Sequence, residues 1–480
     1  MTQPTLTTDY LIIGSGATGM AFADVIFHET NARMVIVDRH HCPGGHWNDA
    51  YPFVRLHQPS AYYGVNSMSL GSNKRDQTGL NVGMYERATN SELVSYYGQL
   101  MQKFVDSGRV QYFPMSDYVG DWLGEHRFRS VMSGEETEVT FTKKIVDTTF
   151  FNTSVPSTHP PKYEIAEGVQ CVPLNALPRL WQLTTAPTGF VVIGAGKTGV
   201  DACLWLLENG TNPDHITWIM PRDAWFLNRA NVQPGLDFFE ASFGSFANQM
   251  EIIAGASSSE EVFAKLEAAG VWLRLDKSVE PSMFHGALMS KPELELLSKI
   301  KNVVRMGRIE RIEDKQIVLE KGSVPSEASR LYVDCSSNSL QQLSGLASFP
   351  IFQGNKITPQ FVRTFQPTFS TAFIAHIESN FEAIEEKNKI CGVVPLPDKP
   401  IDWLKMHSAN LRNQYVWSKY EGLPAWNAAS RLEGFSALAM SVDPQDTARV
   451  NLLRRYGMNA GPAAANIGNL LAKSKTQTIA

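Results

Sequence analysis

Tyr10-Leu11-Ile12-Ile13-Gly14-Ser15-Gly16-Ala17-Thr18-Gly19 is a run of apolar residues closed by a glycine turn. An unbroken apolar run of this length reads as a strand buried on both faces of a parallel sheet. The glycines have separate duties if a dinucleotide pyrophosphate sits on the turn: Gly14 allows the tight bend, Gly16 lets backbone approach the phosphates, and Gly19 lets helix and strand pack closely. Ala17 and Thr18 open the helix, whose first amides and dipole favour negative charge. A second strand, Met34-Val35-Ile36-Val37, then ends in Asp38, 22 residues beyond Gly16. A carboxylate there holds both ribose hydroxyls and repels a 2′-phosphate, so this turn predicts FAD or NAD rather than NADP.

The same unit returns 180 residues later. Phe190-Val191-Val192-Ile193 leads into Gly194-Ala195-Gly196-Lys197-Thr198-Gly199, a helix, and the strand Ile216-Thr217-Trp218-Ile219-Met220. No acid closes that strand; Arg222 follows it. A missing carboxylate removes repulsion and an arginine pairs with a 2′-phosphate, which favours NADPH. Lys197 and Arg229 are alternatives for that contact. The separation is far too long for a solenoid repeat and suits two dinucleotide domains.

Between and beyond the turns the pattern changes. Residues 234–299 read as helical, and Val303 to Leu319 as strand-rich. Arg330-Leu331-Tyr332-Val333-Asp334 is an apolar strand ending in an acid, and long helical segments follow Pro367. The predicted fold is α/β, with two Rossmann-like domains, the NADPH domain inserted in the FAD domain, and a helical C-terminal region. Its expected boundaries are 1–165 for the first part of the FAD domain, 186–325 for the NADPH domain, and 326–480 for the remainder. The helical stretches match no nucleotide-binding pattern and are expected to wall a small-molecule substrate site.

The bulk composition narrows the function. With 480 residues and a net charge of -5, the chain has room for a large core but no basic excess for nucleic acid. Five scattered cysteines form no CxxC pair, which suits a reducing cytoplasm and gives no metal site. The longest apolar stretch, Phe190 to Leu207, is interrupted by glycines, Lys197 and Asp201 and is no membrane span. No coiled-coil seam points to an oligomer, so the oligomeric state stays open.

Asp38-Arg39 runs into Pro43-Gly44-Gly45-His46-Trp47, and Tyr51 to Pro59 follows. This segment resembles the FAD-binding domain of the flavin-containing monooxygenase and glutathione-reductase superfamilies. The resemblance implies FAD at the first turn, with Arg39, Gly45, His46 and Trp47 joining the glycines and Asp38 in its site. Pro221 to Arg229 resembles the arginine-then-tryptophan stretch of the monooxygenases. Asp334, followed by Cys335-Ser336-Ser337-Asn338, matches a late strand that returns to the flavin. The resemblance further implies a monooxygenase acting on a small organic substrate through a C4a-hydroperoxyflavin, with His57 and Gln58 as catalytic candidates and Trp47 and Tyr62 beside them.

The chain departs from that family in two places. The linker motif F-x-G-x-x-x-H is echoed only by Tyr163 and Gly168, and its histidine is missing; His159 lies upstream in a loop. His57 stands where the monooxygenases place an asparagine. Both losses favour an alternative, a flavin dehydrogenase or reductase without oxygen insertion. A non-catalytic flavin-binding sensor or assembly subunit is the third reading. Only Cys42 lies near the first domain's opening, so a dithiol relay is excluded.

Overall fold

The computed structural model describes residues 5–122, 124–151, 155–336 and 349–477, so Ser337 and Asn338 lie outside the described residues. Ten parallel strands carry the architecture: β1 Thr5–Ile13, β2 Met34–Val37, β3 Val110–Phe113, β4 Glu136–Asp147, β5 Cys171–Pro173, β6 Phe190–Ile193, β7 Ile216–Ile219, β8 Val303–Val304, β9 Leu331–Asp334 and β10 Lys356–Ile357. The helices that matter here are α1 Ala17–Glu29, α2 Asn90–Asp106, α3 Lys197–Glu208, α4 Phe239–Gly255, α5 Pro367–Asn380, α6 Pro400–Trp417 and α7 Thr447–Gln477.

The first sheet runs β10-β4-β1-β2-β3 in parallel, with short antiparallel strands added at its edges. The second runs β8-β7-β6-β9-β5, again in parallel. Each glycine turn leaves a strand inside its sheet, β1 or β6, and each following helix leads to the adjacent strand, β2 or β7. This is the doubly wound arrangement that the two apolar runs predict, and it brings each turn to the carboxyl end of its sheet.

Burial explains the composition of these elements. Tyr10, Leu11 and Ile12 of β1 are at most 1% exposed. Helix α1 is buried continuously from Gly19 to Ile26, because β1 covers one side and α5 another. Helix α5 in turn presents Phe369, Phe373, Ile374 and Ile377, all fully buried. Each such side chain contributes about 1.5–3 kcal/mol by leaving water. Helix α2 starts on a capping box between Thr89 and Glu92.

The strand pairings move the expected boundaries. Glu164–Ile165 pairs with Arg311–Ile312, and β5 pairs with β9, so both segments belong to the second domain. Asp334 needs the same correction. Its strand pairs residue for residue with β6, from Leu331 opposite Phe190 to Asp334 opposite Ile193, which puts it in the second sheet and not the first. The strand that returns to the first sheet is β10, paired with Ile145–Val146. The 234–299 insertion is also not wholly helical. Met283–Met289 lies parallel to Ala224–Asn228, whose other edge pairs with Trp272–Leu273. A register shift and Gly286 at φ 70 interrupt that strand's alternation, which hid it from a periodicity reading.

Candidate functional site

The two glycine turns have the same backbone construction. The Gly14 N–H donates to the Val37 carbonyl at 2.8 Å, and the Gly194 N–H to the Ile219 carbonyl at 3.0 Å. A Cβ on Gly19 would overlap the Gly14 carbonyl oxygen, and one on Gly199 would overlap that of Gly194. The third glycine in each turn is therefore required by packing. Gly16 and Gly196 are the N-caps of α1 and α3; neither helix has a side-chain cap or an acid in its first turn. Among the described residues, the opening amides, beginning at Ala17-Thr18 and Lys197-Thr198, thus have no side-chain acceptor. A helix start built this way suits an anion such as pyrophosphate.

Each turn is backed by the strand on the far side of its sheet. The Thr148 hydroxyl donates to the Ile13 carbonyl at 2.7 Å behind the first turn, and the Cys335 N–H donates to the Ile193 carbonyl at 2.9 Å behind the second. Asp147 and Asp334 occupy matching positions. Asp147 accepts from the Thr149 N–H and hydroxyl, and Asp334 from the Ser336 N–H and hydroxyl. Comparing Val146-Asp147-Thr148-Thr149 with Val333-Asp334-Cys335-Ser336 would have exposed this match in the sequence.

The front sides differ. Gly44 and Gly45, at φ 133 and 57, fold over the first turn, and a Cβ on Gly45 would come 2.9 Å from the Gly16 Cα. Nothing lies within 4 Å of the corresponding Cβ position on Gly196. Beside the first turn, Asp38 accepts from the Ser15 N–H and hydroxyl at 2.5 and 2.8 Å on one oxygen. Its other oxygen meets the His40 N–H and Nδ1 at 2.8 and 2.9 Å. Burial works against the charge of Asp38, but these donors outweigh it and hold the carboxyl below its ordinary range. His40 also reaches Asp49 at 2.8 Å; hydrogen bonding to Asp38 is the largest cause that raises its pKa to about 9.

The other first-domain candidates separate. Trp47 is buried, with Nε1 donating to the Tyr63 hydroxyl at 3.0 Å. His46 packs on Trp47 with ring centroids 4.7 Å apart, and burial pushes its pKa down to about 4. Arg39 points outward, 3.6 Å from Asp117.

In the second domain, Lys197 is paired with Asp201, which also accepts from the Tyr51 hydroxyl at 2.5 Å. This ties the segment that follows the first glycine turn to α3. Arg222 is bidentate to Asp398 at 2.9 and 2.7 Å, and its three remaining N–H donors have no protein partner among the described residues.

His57, Gln58 and Tyr62 line a cavity of about 690 Å³ whose other walls come from α4, α6, α7 and the small three-stranded sheet. Burial, then the charges of Lys197, Arg229 and Arg87, hold the His57 pKa well below its ordinary value. The His57 carbonyl accepts from Arg229 Nε at 2.9 Å. Arg229 is fully buried and paired with Glu293 at 2.8 Å, so it supports the wall and is withdrawn from the phosphate role. Two residues that attracted no notice in the sequence are His285, which is among the residues lining the cavity, and Asp398, which its Nε2 meets at 3.0 Å. A lone histidine on an irregular strand gives no periodic signal.

Over 468 residues the chain is 44% identical to uncharacterized protein Rv2000 of Mycobacterium tuberculosis and to uncharacterized protein Mb2023 of Mycobacterium bovis, covering 97% of this chain and 85% of each relative. No family model matches. Similar solved structures include a cyclohexanone monooxygenase variant of Rhodococcus bound to NADP+, at 14% identity and TM-score 0.49 over 91% of this chain and 98% of that one. A flavin-containing monooxygenase from Stenotrophomonas maltophilia aligns at 14% identity and TM-score 0.43, over 81% of this chain and 100% of that one. A bacillithiol disulfide reductase of Staphylococcus aureus aligns at 9% identity and TM-score 0.44, over 78% and 100%.

Proposed function

This chain belongs to the family of those mycobacterial proteins, and we propose that it is an FAD-containing oxidoreductase that draws its electrons from NADPH. The observation that carries this reading is the pair of uncapped glycine-turn helices, one at the end of a strand in each parallel sheet. The residues present fit both groups. At the first turn, the Ala17-Thr18-Gly19 amides would face the FAD pyrophosphate beneath Gly44–Gly45, and Asp38 would take ribose hydroxyls as His40 gives way. At the second, the open face over Gly196 would admit NADPH, and the free donors of Arg222 would meet the 2′-phosphate.

Bound flavin would supply hydride acceptance from nicotinamide and onward delivery of electrons. The chain's own part is to orient and to exclude water. Neutral His57 and Gln58 would border the reacting region without adding charge. In this reading the substrate is a small organic molecule and the reaction an oxygen insertion. Among the described residues no helix is long and apolar enough to cross a membrane. The five free cysteines support a cytoplasmic setting.

One observation favours a dehydrogenase or reductase instead: a histidine, His57, lines the cavity where an asparagine is expected of a monooxygenase. The two readings divide on oxygen. NADPH consumption matched by oxygenated product supports the monooxygenase; anaerobic turnover with an artificial acceptor and no oxygenated product supports the dehydrogenase.

A further inference from the structure

Residues 51–58 are held from both domains. On the first-domain side, the Leu56 N–H donates to the Ala88 carbonyl at 3.0 Å, and the Val54 carbonyl accepts from the Asn90 N–H of α2 at 3.1 Å. On the other side, the Tyr51 hydroxyl donates to Asp201 at 2.5 Å, and the Phe53 ring stacks on Trp205 with centroids 5.1 Å apart. Asp201 and Trp205 stand one turn apart on α3, so the two contacts share a helix face. The Tyr51 and Phe53 rings also pack on each other, at 4.9 Å between centroids. Further along, the His57 carbonyl accepts from Arg229 Nε at 2.9 Å. Arg229 is fully buried, with its remaining contacts to the Leu288 carbonyl, Glu293 and Asn81.

Helix α3 opens on the second glycine turn, and His57 and Gln58 are among the residues lining the cavity. One short stretch of chain therefore joins the two. Resting on the reading of the second turn as the nicotinamide nucleotide site, we infer that residues 51–58 form a strap between that site and the cavity wall, and that Tyr51 is the positioning residue that fastens it. Burial, then the charge of Asp201, keeps the phenol protonated far above its ordinary range, so the hydroxyl is a permanent donor. Asp201 is at the same time paired with Lys197 of the turn itself, so one carboxylate joins the turn to the strap. Tyr51 is only 6% exposed, and water competes poorly for a hydrogen bond buried in this way. A nucleotide that orders the turn thereby orders α3, Asp201 and the strap together. This keeps His57 and Gln58 in a fixed relation to the bound nucleotide.

The test is hydrogen exchange of the flavin-loaded protein with and without NADP+, read by mass spectrometry in peptides covering α3 and residues 51–58. NADP+ should slow exchange about fivefold or more at both places, the lower end of ordinary coupling between sites. Tyr51→Phe removes the hydroxyl alone and leaves Asp201 paired with Lys197, so flavin content and the protection of α3 should be kept. Its strap should lose most of the slowing. Phe53→Leu, which removes the stack on Trp205, should do the same through a separate contact. In anaerobic mixing, both variants should bind NADPH within about twofold of the unmodified protein yet be reduced about tenfold more slowly at saturation, as misplaced reactants are.

Protection of α3 without protection of residues 51–58 in the unmodified protein would overturn the inference. So would full protection of the strap, or an unchanged limiting rate, in Tyr51→Phe. Loss of flavin or of α3 protection in both variants would make these contacts plain scaffolding and overturn it as well. Failure of the cofactor reading looks different: the unmodified protein then takes up no flavin, or NADP+ protects no part of it, and this inference falls with that reading.

Discussion

The two glycine turns of this molecule share a backbone and differ in what lies in front of it. In both, the third glycine is pressed against the first glycine's carbonyl and an aspartate-ended strand stands behind. Only the first turn has a Gly44–Gly45 segment over it and an acid, Asp38, at the end of the next strand. Only the second is open above its middle glycine, and no acid ends the strand that follows it, where Arg222 is held by Asp398. Under the proposed function, the shared half would cradle a pyrophosphate, and the unshared half would set which dinucleotide is held and whether it stays or exchanges.

The largest effects should come from the shared half. Gly19→Ala and Gly199→Ala each drive a methyl group into backbone, an overpacking cost of about 1–3 kcal/mol or more. Gly19→Ala should give protein without flavin. Gly199→Ala should stay yellow but resist reduction by NADPH. Absorbance spectra with and without NADPH check both; loss of flavin from both variants would mean that the turns do not have separate ligands.

Next comes Gly45→Ala, which strains a positive φ and meets Gly16 at close range. It should weaken FAD retention at least tenfold while NADPH affinity is kept, as read by flavin release on dilution and by NADPH titration of reloaded protein. A smaller effect belongs to the acid and histidine at the first turn. The His40 pKa of about 9 lies above its ordinary 6.5, so its stabilisation is complete below about 6.5 and lost as pH rises through 9. The melting temperature of the flavin-free unmodified protein should therefore fall more steeply between those limits than that of flavin-free His40→Asn. Parallel profiles would show that the Asp38–His40–Asp49 contacts contribute no linkage.

What the sequence disclosed follows the same division. Glycine turns and their flanking strands are local, so their positions could be read without knowing the fold. The acid after β2 and its absence after β7 were equally legible. Sheet pairing is not local: Asp334 ends a convincing strand, but only its register against Phe190–Ile193 reveals which sheet owns it. Arg222 was visible as a charge beside the second turn, yet its partner Asp398 is 176 residues away. The cavity combines segments from both halves of the chain, and no single stretch announces it.

An anaerobic NADPH titration of the unmodified protein beside Gly196→Ala tests the division of labour most directly. A methyl group on Gly196 meets no protein atom within 4 Å, so the fold and the flavin should persist while the nucleotide is obstructed. The unmodified protein should lose its flavin band near ~450 nm on adding NADPH. Gly196→Ala should retain that band until NADPH is raised at least tenfold. Bleaching of both proteins at the same NADPH concentration, or an unmodified protein that takes up no flavin, would contradict the assignment of FAD to the first turn and NADPH to the second.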